Sequence, residues 1–175
     1  MWRLLSPAGL VVVGLLTFLP FFNVTFLIEG DPFKIAFDGT DLLTKGGPTV
    51  VRPAGVEGAD SLLEIFSFDR QPFAIAALAV LVASLFTALI REPLARHSSA
   101  LGLAVLVGAL LVGTYLRATH ALDQRLLDAA NRAGGTVGAH IARPAIGFLL
   151  MIGTLNLLVI GHAMALARAW DRQRG

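Results

Sequence analysis

Three residues in the middle of the chain could together bind a metal. His120 and Asp123 are three positions apart, which places them on one face of a helix, and His140 follows further along the chain. Two imidazoles and one carboxylate suit a transition metal. Their spacing matches no established metal-binding pattern, and histidines scattered over a surface are common. We therefore predict no metal site, with these three residues as the alternative.

Two polar residues, Asn156 and His162, lie in the last apolar stretch of the chain. Polar groups inside a membrane span usually face protein or water. A histidine near the end of a span can also hydrogen bond to a neighbouring helix. Haem ligation would need a second histidine at the same depth in the membrane. We expect His97 to lie in an exposed loop, so no second histidine is present at that depth. We therefore predict no cofactor and no catalytic residue.

Asp38 and Asp41 lie among glycines and could offer oxygen ligands to a hard cation. The segment lacks the regular spacing and the final glutamate of an EF-hand loop. Aspartate and glycine are also the usual residues of turns. This pattern therefore predicts a turn or a short helix.

The composition indicates a membrane protein. Hydrophobic residues make up 55% of the 175-residue chain and charged residues only 15%, whereas roughly a quarter of the residues of a soluble domain are charged. Four apolar runs could each cross a hydrocarbon core about 30 Å thick. We predict an all-α membrane fold, a four-helix bundle with a small extracytoplasmic sheet, as one domain over residues 1–175. The predicted spans are 6–22, 72–90, 98–116 and 144–166, and the outer loops are 23–71 and 117–143.

The first outer loop has the pattern of a β-hairpin. Two short runs rich in β-formers, Val24–Ile28 and Phe33–Phe37, flank a connection that contains Asp31 and Pro32. A two-stranded ribbon is marginal alone, so Thr49–Arg52 is predicted as a third strand. The alternative is that Val24–Ile28 extends the first helix. Further along, 59–68 has the pattern of a short amphipathic helix.

Several residues predict where the helices begin and end. The third span should continue outward, because Leu122 and Leu126 repeat at helical spacing until Gly134. The other predicted helix starts each have a proline near the first helical position, and two of them also have a capping residue before it. They are Ser6 with Pro7 for the first span, Asp69 with Pro72 for the second, and Pro144 for the fourth.

The charge distribution predicts the orientation. Arginines lie at three places: near the first residues, in the link that holds Arg91 and Arg96, and from Arg168 onward. Short basic segments stay in the cytoplasm, so both termini should be cytoplasmic. The first run leaves through Phe18 and Pro20 rather than through small residues, so we interpret it as a retained helix and not as a signal peptide.

The segment FDGTDLLTKGG, from Phe37 to Gly47, resembles the Gly-x-Asp-Leu-Leu-Thr-Gly fragment of small four-span bacterial envelope proteins that have no assigned activity. Lys45 stands where that fragment has its last glycine. The layout is also similar to that of claudins, but their Trp and paired Cys signature is absent. The resemblance implies a bacterial cytoplasmic membrane protein and no catalytic residue.

The sequence excludes several functions. The spans carry no charged residue in their interiors, which argues against a proton-coupled transporter or a voltage sensor. A net charge of +2 spread over several loops does not indicate nucleic-acid binding. We expect a non-enzymatic accessory or scaffold subunit whose partners are membrane lipids and other membrane proteins, docked through the outer loop and the projecting helix. Alternatives are a lipid or small-ligand binder with a cleft lined by Phe21, Phe22, Phe26 and Phe73, and, less favoured, a metal-dependent enzyme at the outer interface.

Overall fold

A computed structural model describes residues 2–28, 31–44, 47, 49–52, 69–133 and 140–174. Its elements, in chain order, are helix α1 (Trp2–Leu15), a 3-10 turn (Leu16–Phe18), strands β1 (Pro20–Ile28) and β2 (Asp31–Asp38), helix α2 (Gly39–Leu43), strand β3 (Thr49–Arg52), helix α3 (Pro72–Leu85), a 3-10 turn (Phe86–Leu89), helix α4 (Pro93–Ala133), strand β4 (His140–Pro144) and helix α5 (Ile146–Arg174). The predicted amphipathic helix at 59–68 lies outside the described residues.

Three of the described helical segments are long and apolar enough to cross a membrane: Pro72–Leu89, Pro93–Asp128 and Ile146–Arg172. Their length and composition indicate a membrane protein. The first apolar helix is shorter, over Pro7–Phe18. Length and composition therefore identify three crossings rather than the four that the sequence predicts.

Helix α4 has 41 residues, which at about 1.5 Å per residue make it roughly 60 Å long. A hydrocarbon core is about 30 Å thick, so about half of the helix extends beyond it. The predicted continuation of this helix beyond the span is confirmed up to Ala133. Helix α4 starts earlier than predicted, at Pro93. Proline is favoured at the first helical position because the amide hydrogen that it lacks would have no partner there.

The sheet has four antiparallel strands in the order β3-β2-β1-β4. The hairpin and the third strand predicted for the first outer loop are confirmed, and the helical alternative for Val24–Ile28 is wrong. The fourth strand, which pairs Val24 with Ala142, comes from the second outer loop and was not predicted. The sheet thus joins the two outer loops.

The inner face of the sheet packs on the helices. Val24 pairs with Ile35 and Phe22 with Phe37, and all four side chains are fully buried. Residues of one strand alternate between faces, so Ile35 and Phe37 share the inner face of the sheet. The same core cluster includes Leu122 in the outer half of α4. One continuous core therefore holds the sheet against the helices.

Two predicted helix starts and one predicted cap are wrong. Helix α1 begins at Trp2, so Pro7 lies inside it. Gln71 occupies the N-cap position of α3 without a side-chain capping hydrogen bond. Pro72 begins the helix as predicted, and Asp69 instead lies 3.7 Å from Arg125. Pro144 ends strand β4, and α5 starts two residues later. A proline or an aspartate near a helix end does not by itself locate the cap.

Candidate functional site

A pair of buried histidines joins the start of α4 to the end of α5. Nδ1 of His97 lies 3.2 Å from Nδ1 of His162, and their exposed fractions are 8% and 9%. The prediction of an exposed loop at His97 is therefore wrong, since helix α4 begins at Pro93 and carries His97 into the bundle. His162 has the interhelical partner that its position predicted.

Arg96 sets the proton positions of this pair. Its Nη2 atom lies 3.5 Å from Nε2 of His97, and a guanidinium can only donate. Nε2 of His97 then accepts, so the proton of this neutral imidazole resides on Nδ1 and is donated to Nδ1 of His162. The proton of a neutral His162 is correspondingly on Nε2. One hydrogen-bonded chain thus links Arg96 to the far helix.

A groove beside the histidine pair is strongly basic. It has a volume of about 430 Å³ and lies between the first turns of α4 and the last turns of α5. Arg96 and His97 line it from α4, and Arg168 and Arg172 line it from α5, with Pro93, Ala165 and Ala169 completing the wall. No carboxylate is among the lining residues within the described part of the chain. The groove therefore favours an anion.

No protein-family model and no curated protein matches this chain.

The three candidate metal ligands are only partly brought together. His140 Nε2 lies 2.6 Å from Asp123 Oδ1, and the two join strand β4 to the outer half of α4. His120 instead contacts Gln124 through Nε2 at 3.1 Å. Among the described residues, no group of three His, Cys, Asp or Glu side chains could hold a metal ion. The Asp123–His140 pair therefore acts as a contact between helix and sheet.

Of the four phenylalanines, the three whose side chains are described do not line a common cleft. Phe21 and Phe22 are 1% and 0% exposed, and their rings pack in the core against Phe148 and Phe37. Phe73 is on the surface at 40%, with the Arg117 guanidinium 5.8 Å from its ring centre. The side chain of Phe26 lies outside the described part. Phe21 and Phe22 are therefore core residues, because the hydrophobic sheet face closes on the helices.

A small apolar cavity lies beside this core. Its volume is about 30 Å³, and its lining includes Val13, Phe21, Leu42, Val107 and Met151. Since one water needs roughly 10–15 Å³ on this measure, the cavity is far too small for a lipid chain.

Asp38 and Asp41 form a capping box. The Asp38 carboxylate accepts hydrogen bonds from the amides of Thr40 and Asp41, and the Asp41 carboxylate accepts one from the amide of Asp38. This confirms the predicted short helix, α2. The carboxylates serve as helix caps here, as aspartate commonly does.

Asn156 lies on an exposed face of α5. It shares that face with Leu149, Gly153 and Ile160, since these positions recur every three or four residues. Leu149 and Ile160 are 54% and 56% exposed. The Asn156 side chain makes no hydrogen bond to any described residue. It is therefore a polar group on a surface that is otherwise apolar.

Proposed function

We propose that this chain is a non-enzymatic accessory or scaffold subunit of a larger membrane complex in a bacterial cytoplasmic membrane. The observation that carries the proposal is the exposed, unpaired carboxamide of Asn156. The outer sheet and the projecting half of α4 add a second contact surface outside the bilayer.

The exposure of Asn156 is significant because of its depth in the proposed membrane span. It is ten residues after Ile146, or about 15 Å along α5 at 1.5 Å per residue. That distance is roughly half of a 30 Å hydrocarbon core, so the side chain lies near the midplane. An amide that faces lipid there has no water to bond. A polar group from another helix would satisfy it, at a gain of about 0.6–2 kcal/mol.

The small residues beside Asn156 suit a helix as the partner. A Cβ atom added at Gly153 would meet no other atom within 4 Å, so the backbone of α5 is open to close approach there. Interfaces between membrane helices are enriched in such residues because they bring backbones together. A partner helix crossing at Gly153 would reach Asn156 one turn later.

The outer sheet offers a complementary surface. Its inner face is filled by the core, whereas Ile141 and Arg143 of β4 point to the opposite face and are exposed. β4 is also an edge strand, whose outer backbone groups pair with no described residue. An extended segment of a partner could add to this edge.

The proposed arrangement has four crossings with both chain ends in the cytoplasm. α1 and the following 3-10 turn cover about 27 Å, close to the thickness of a thinned hydrocarbon core. Their residues pack with the other helices, as Val13 does with Leu81 and Leu155 in the core. Arg91, Arg96 and Arg168 lie at the end opposite the sheet, as expected for the cytoplasmic side.

Photo-crosslinking in intact membranes tests the proposal. A photoreactive amino acid at Ile160 should capture a second membrane protein of discrete mass, and one at Ile141 should capture the same protein. The matched control is Val82, which is exposed on α3 and belongs to neither surface. Absence of any protein adduct at both positions would contradict the proposal, and an adduct of twice the chain mass would indicate a homodimer instead.

Asn156→Leu separates assembly from folding. The substitution removes an unpaired polar group from a lipid-facing surface, so the isolated chain should be as stable as the wild type or more stable. The complex should dissociate more easily in mild detergent. Leu157→Ala, which shortens an adjacent exposed side chain, serves as the control. Complex recovery equal for Asn156→Leu and wild type would remove the main support for the proposal.

A further inference from the structure

We propose that the basic groove between the start of α4 and the end of α5 binds a phosphate group, supplied by the headgroup of an anionic lipid. This site is at the opposite end of the molecule from the outer sheet. It is independent of the subunit contacts proposed above.

Charge is the first argument. Arg96, Arg168 and Arg172 place three permanent positive charges around one space of about 430 Å³, within the usual range of ligand pockets of roughly 300–1,000 Å³. Planar guanidinium groups bind phosphate oxygens through paired hydrogen bonds. The nearest acids in sequence, Glu92 and Asp171, are not among the lining residues. Among the described residues that line this groove there is no carboxylate.

Preorganisation is the second argument. Nε of Arg172 donates to the backbone carbonyl of Arg168 at 3.2 Å, which holds its guanidinium against the last turns of α5. Arg96 is held by its contact with His97, which is fixed in turn by His162. Ordering long side chains before a ligand arrives reduces the entropic cost of binding.

The helix ends contribute in opposite directions. The first amides of α4 favour an anion, whereas the last carbonyls of α5 disfavour one. Each end is equivalent to about half an elementary charge, so the two effects largely cancel. The three arginines then determine the sign of the site.

Position is the argument for a lipid. The groove is at the ends of two membrane-spanning segments, at the level where phosphates of the bilayer surface lie. Half-exposed Trp170 is on the adjacent turn of α5, as is typical of the membrane interface. A second groove between the same helices, lined by Leu101, Leu166, Trp170 and Asp171 among others, provides mainly apolar surface for an acyl chain. A soluble phosphate would use the arginines but not this surface.

Native mass spectrometry of the purified full chain in mild detergent tests the site. Phosphatidylglycerol and phosphatidylcholine with the same acyl chains are the probes. We expect phosphatidylglycerol to bind at least roughly tenfold more tightly, because choline brings its own positive charge to the groove. Inorganic phosphate is the competitor that distinguishes the sources. Displacement only by a large excess assigns the site to a lipid, and displacement at equal concentration assigns it to soluble phosphate.

A pair of double variants provides the control. Arg96→Gln with Arg172→Gln should weaken phosphatidylglycerol binding by at least about tenfold, since each substitution removes a charge-assisted contact. Arg91→Gln with Arg143→Gln removes the same charge from two exposed arginines that do not line the groove, and should leave binding unchanged. Circular dichroism and gel filtration check that both variants fold. Equal effects of the two double variants, or equal binding of both lipids by the wild type, would overturn the proposal.

Arg96→Lys provides a test that preserves the charge. Lysine keeps the positive charge but not the planar fork, so we expect an intermediate loss of phosphatidylglycerol binding. Wild-type affinity in this variant, together with wild-type affinity in the double variant, would show that Arg96 does not contact the phosphate.

Discussion

At the scale of single residues, the His97–His162 contact is the best-defined polar interaction between helices in the described structure. In this contact, two buried imidazoles form a hydrogen bond with each other. Removing one partner leaves the other buried without its bond, which costs about 1–3 kcal/mol. Removing both partners eliminates that penalty. The cost of the double substitution should therefore be smaller than the sum of the single costs.

A double-mutant cycle measures this coupling. We expect His97→Leu and His162→Leu each to lower the free energy of unfolding in detergent by about 1–3 kcal/mol. The coupling energy should be at least about 0.6 kcal/mol, the average for hydrogen bonds between membrane helices. His120→Leu alters an exposed histidine that contacts only its own helix, and should change stability by less than about 0.5 kcal/mol. Strict additivity would show that the two imidazoles do not interact.

Asp41 gives a prediction about pH. Burial raises the pKa of its carboxyl above the ordinary value of 3.8, and the neighbouring Asp38 charge acts in the same direction, although the hydrogen bond from the Asp38 amide opposes both. A carboxyl with a raised folded pKa binds its proton more tightly in the folded state. Its contribution to stability is therefore present below the unfolded pKa and is lost as the pH rises through the folded pKa.

Asp41→Asn should remove this dependence while its amide oxygen still accepts the hydrogen bond from Asp38. Thermal unfolding of both proteins between about pH 3 and pH 7 measures the difference. We expect the variant to gain stability relative to the wild type as the pH rises through that window. A difference that is constant over the whole range would refute the assignment.

At the scale of elements, the junction between β1 and α5 fixes the sheet to the bundle. The Ala145 amide donates to the Phe21 carbonyl at 3.0 Å. A Cβ atom added at Gly147 would lie 2.6 Å from the carbonyl oxygen of Pro20 and 2.9 Å from the Cβ of Leu19. Backbone atoms cannot move away as a side chain can. Only glycine permits this approach.

Gly147→Ala should consequently lower the free energy of unfolding by about 1–3 kcal/mol, the usual cost of overpacking. The matched control is Gly153→Ala on the same helix, where a Cβ would meet no atom within 4 Å. Alanine there should leave the stability of the isolated chain unchanged or raise it by up to about 1 kcal/mol. Thermal unfolding in detergent compares the two, and equal effects would mean that the junction is looser than described.

Local patterns were sufficient for some elements and not for others. The hairpin and the extension of α4 were predictable, because alternating β-formers and the Leu122–Leu126 repeat are signals within a few residues. Strand β4 was missed, since its five residues are ordered by pairing with β1, far away in sequence. Pro93 was a signal that could have placed His97 in a helix. Its contact with His162, however, depends on how two distant helices pack.

The dependence on helix packing also explains why the sequence did not predict the basic groove. Arg96 and Arg168 were each recognisable as interfacial arginines, but nothing in the sequence brings them together. The packing of α4 on α5 does so. In the same way, the packing of the sheet on the helices buries Phe21 and Phe22, which the composition alone would allow on a lipid-facing surface. The pattern of hydrophobic residues thus predicted which segments enter the membrane better than it predicted which of their faces meet.

At the scale of the whole molecule, the proposed functions depend on how the chain crosses the membrane. If α1 crosses as the fourth span, the sheet and α2 lie outside the cytoplasm while the basic groove lies inside. Because the chain contains no cysteine, single cysteines can report each side without background labelling. Thr44 after α2 and Ser98 near the start of α4 are both exposed and mark the two ends.

We expect a membrane-impermeant maleimide to label Thr44→Cys in cells whose outer membrane has been opened, and to label Ser98→Cys only after the cytoplasmic membrane is permeabilised. The reason is the uneven distribution of arginines, which keeps the end that carries Arg91, Arg96 and Arg168 in the cytoplasm. With three crossings, α1 would not span the bilayer, but the two labelled positions would still lie on opposite sides of α3. A cysteine at Ala8, near the start of α1, decides between three and four crossings: labelling from outside would place α1 beside the sheet and leave the bundle with three spans.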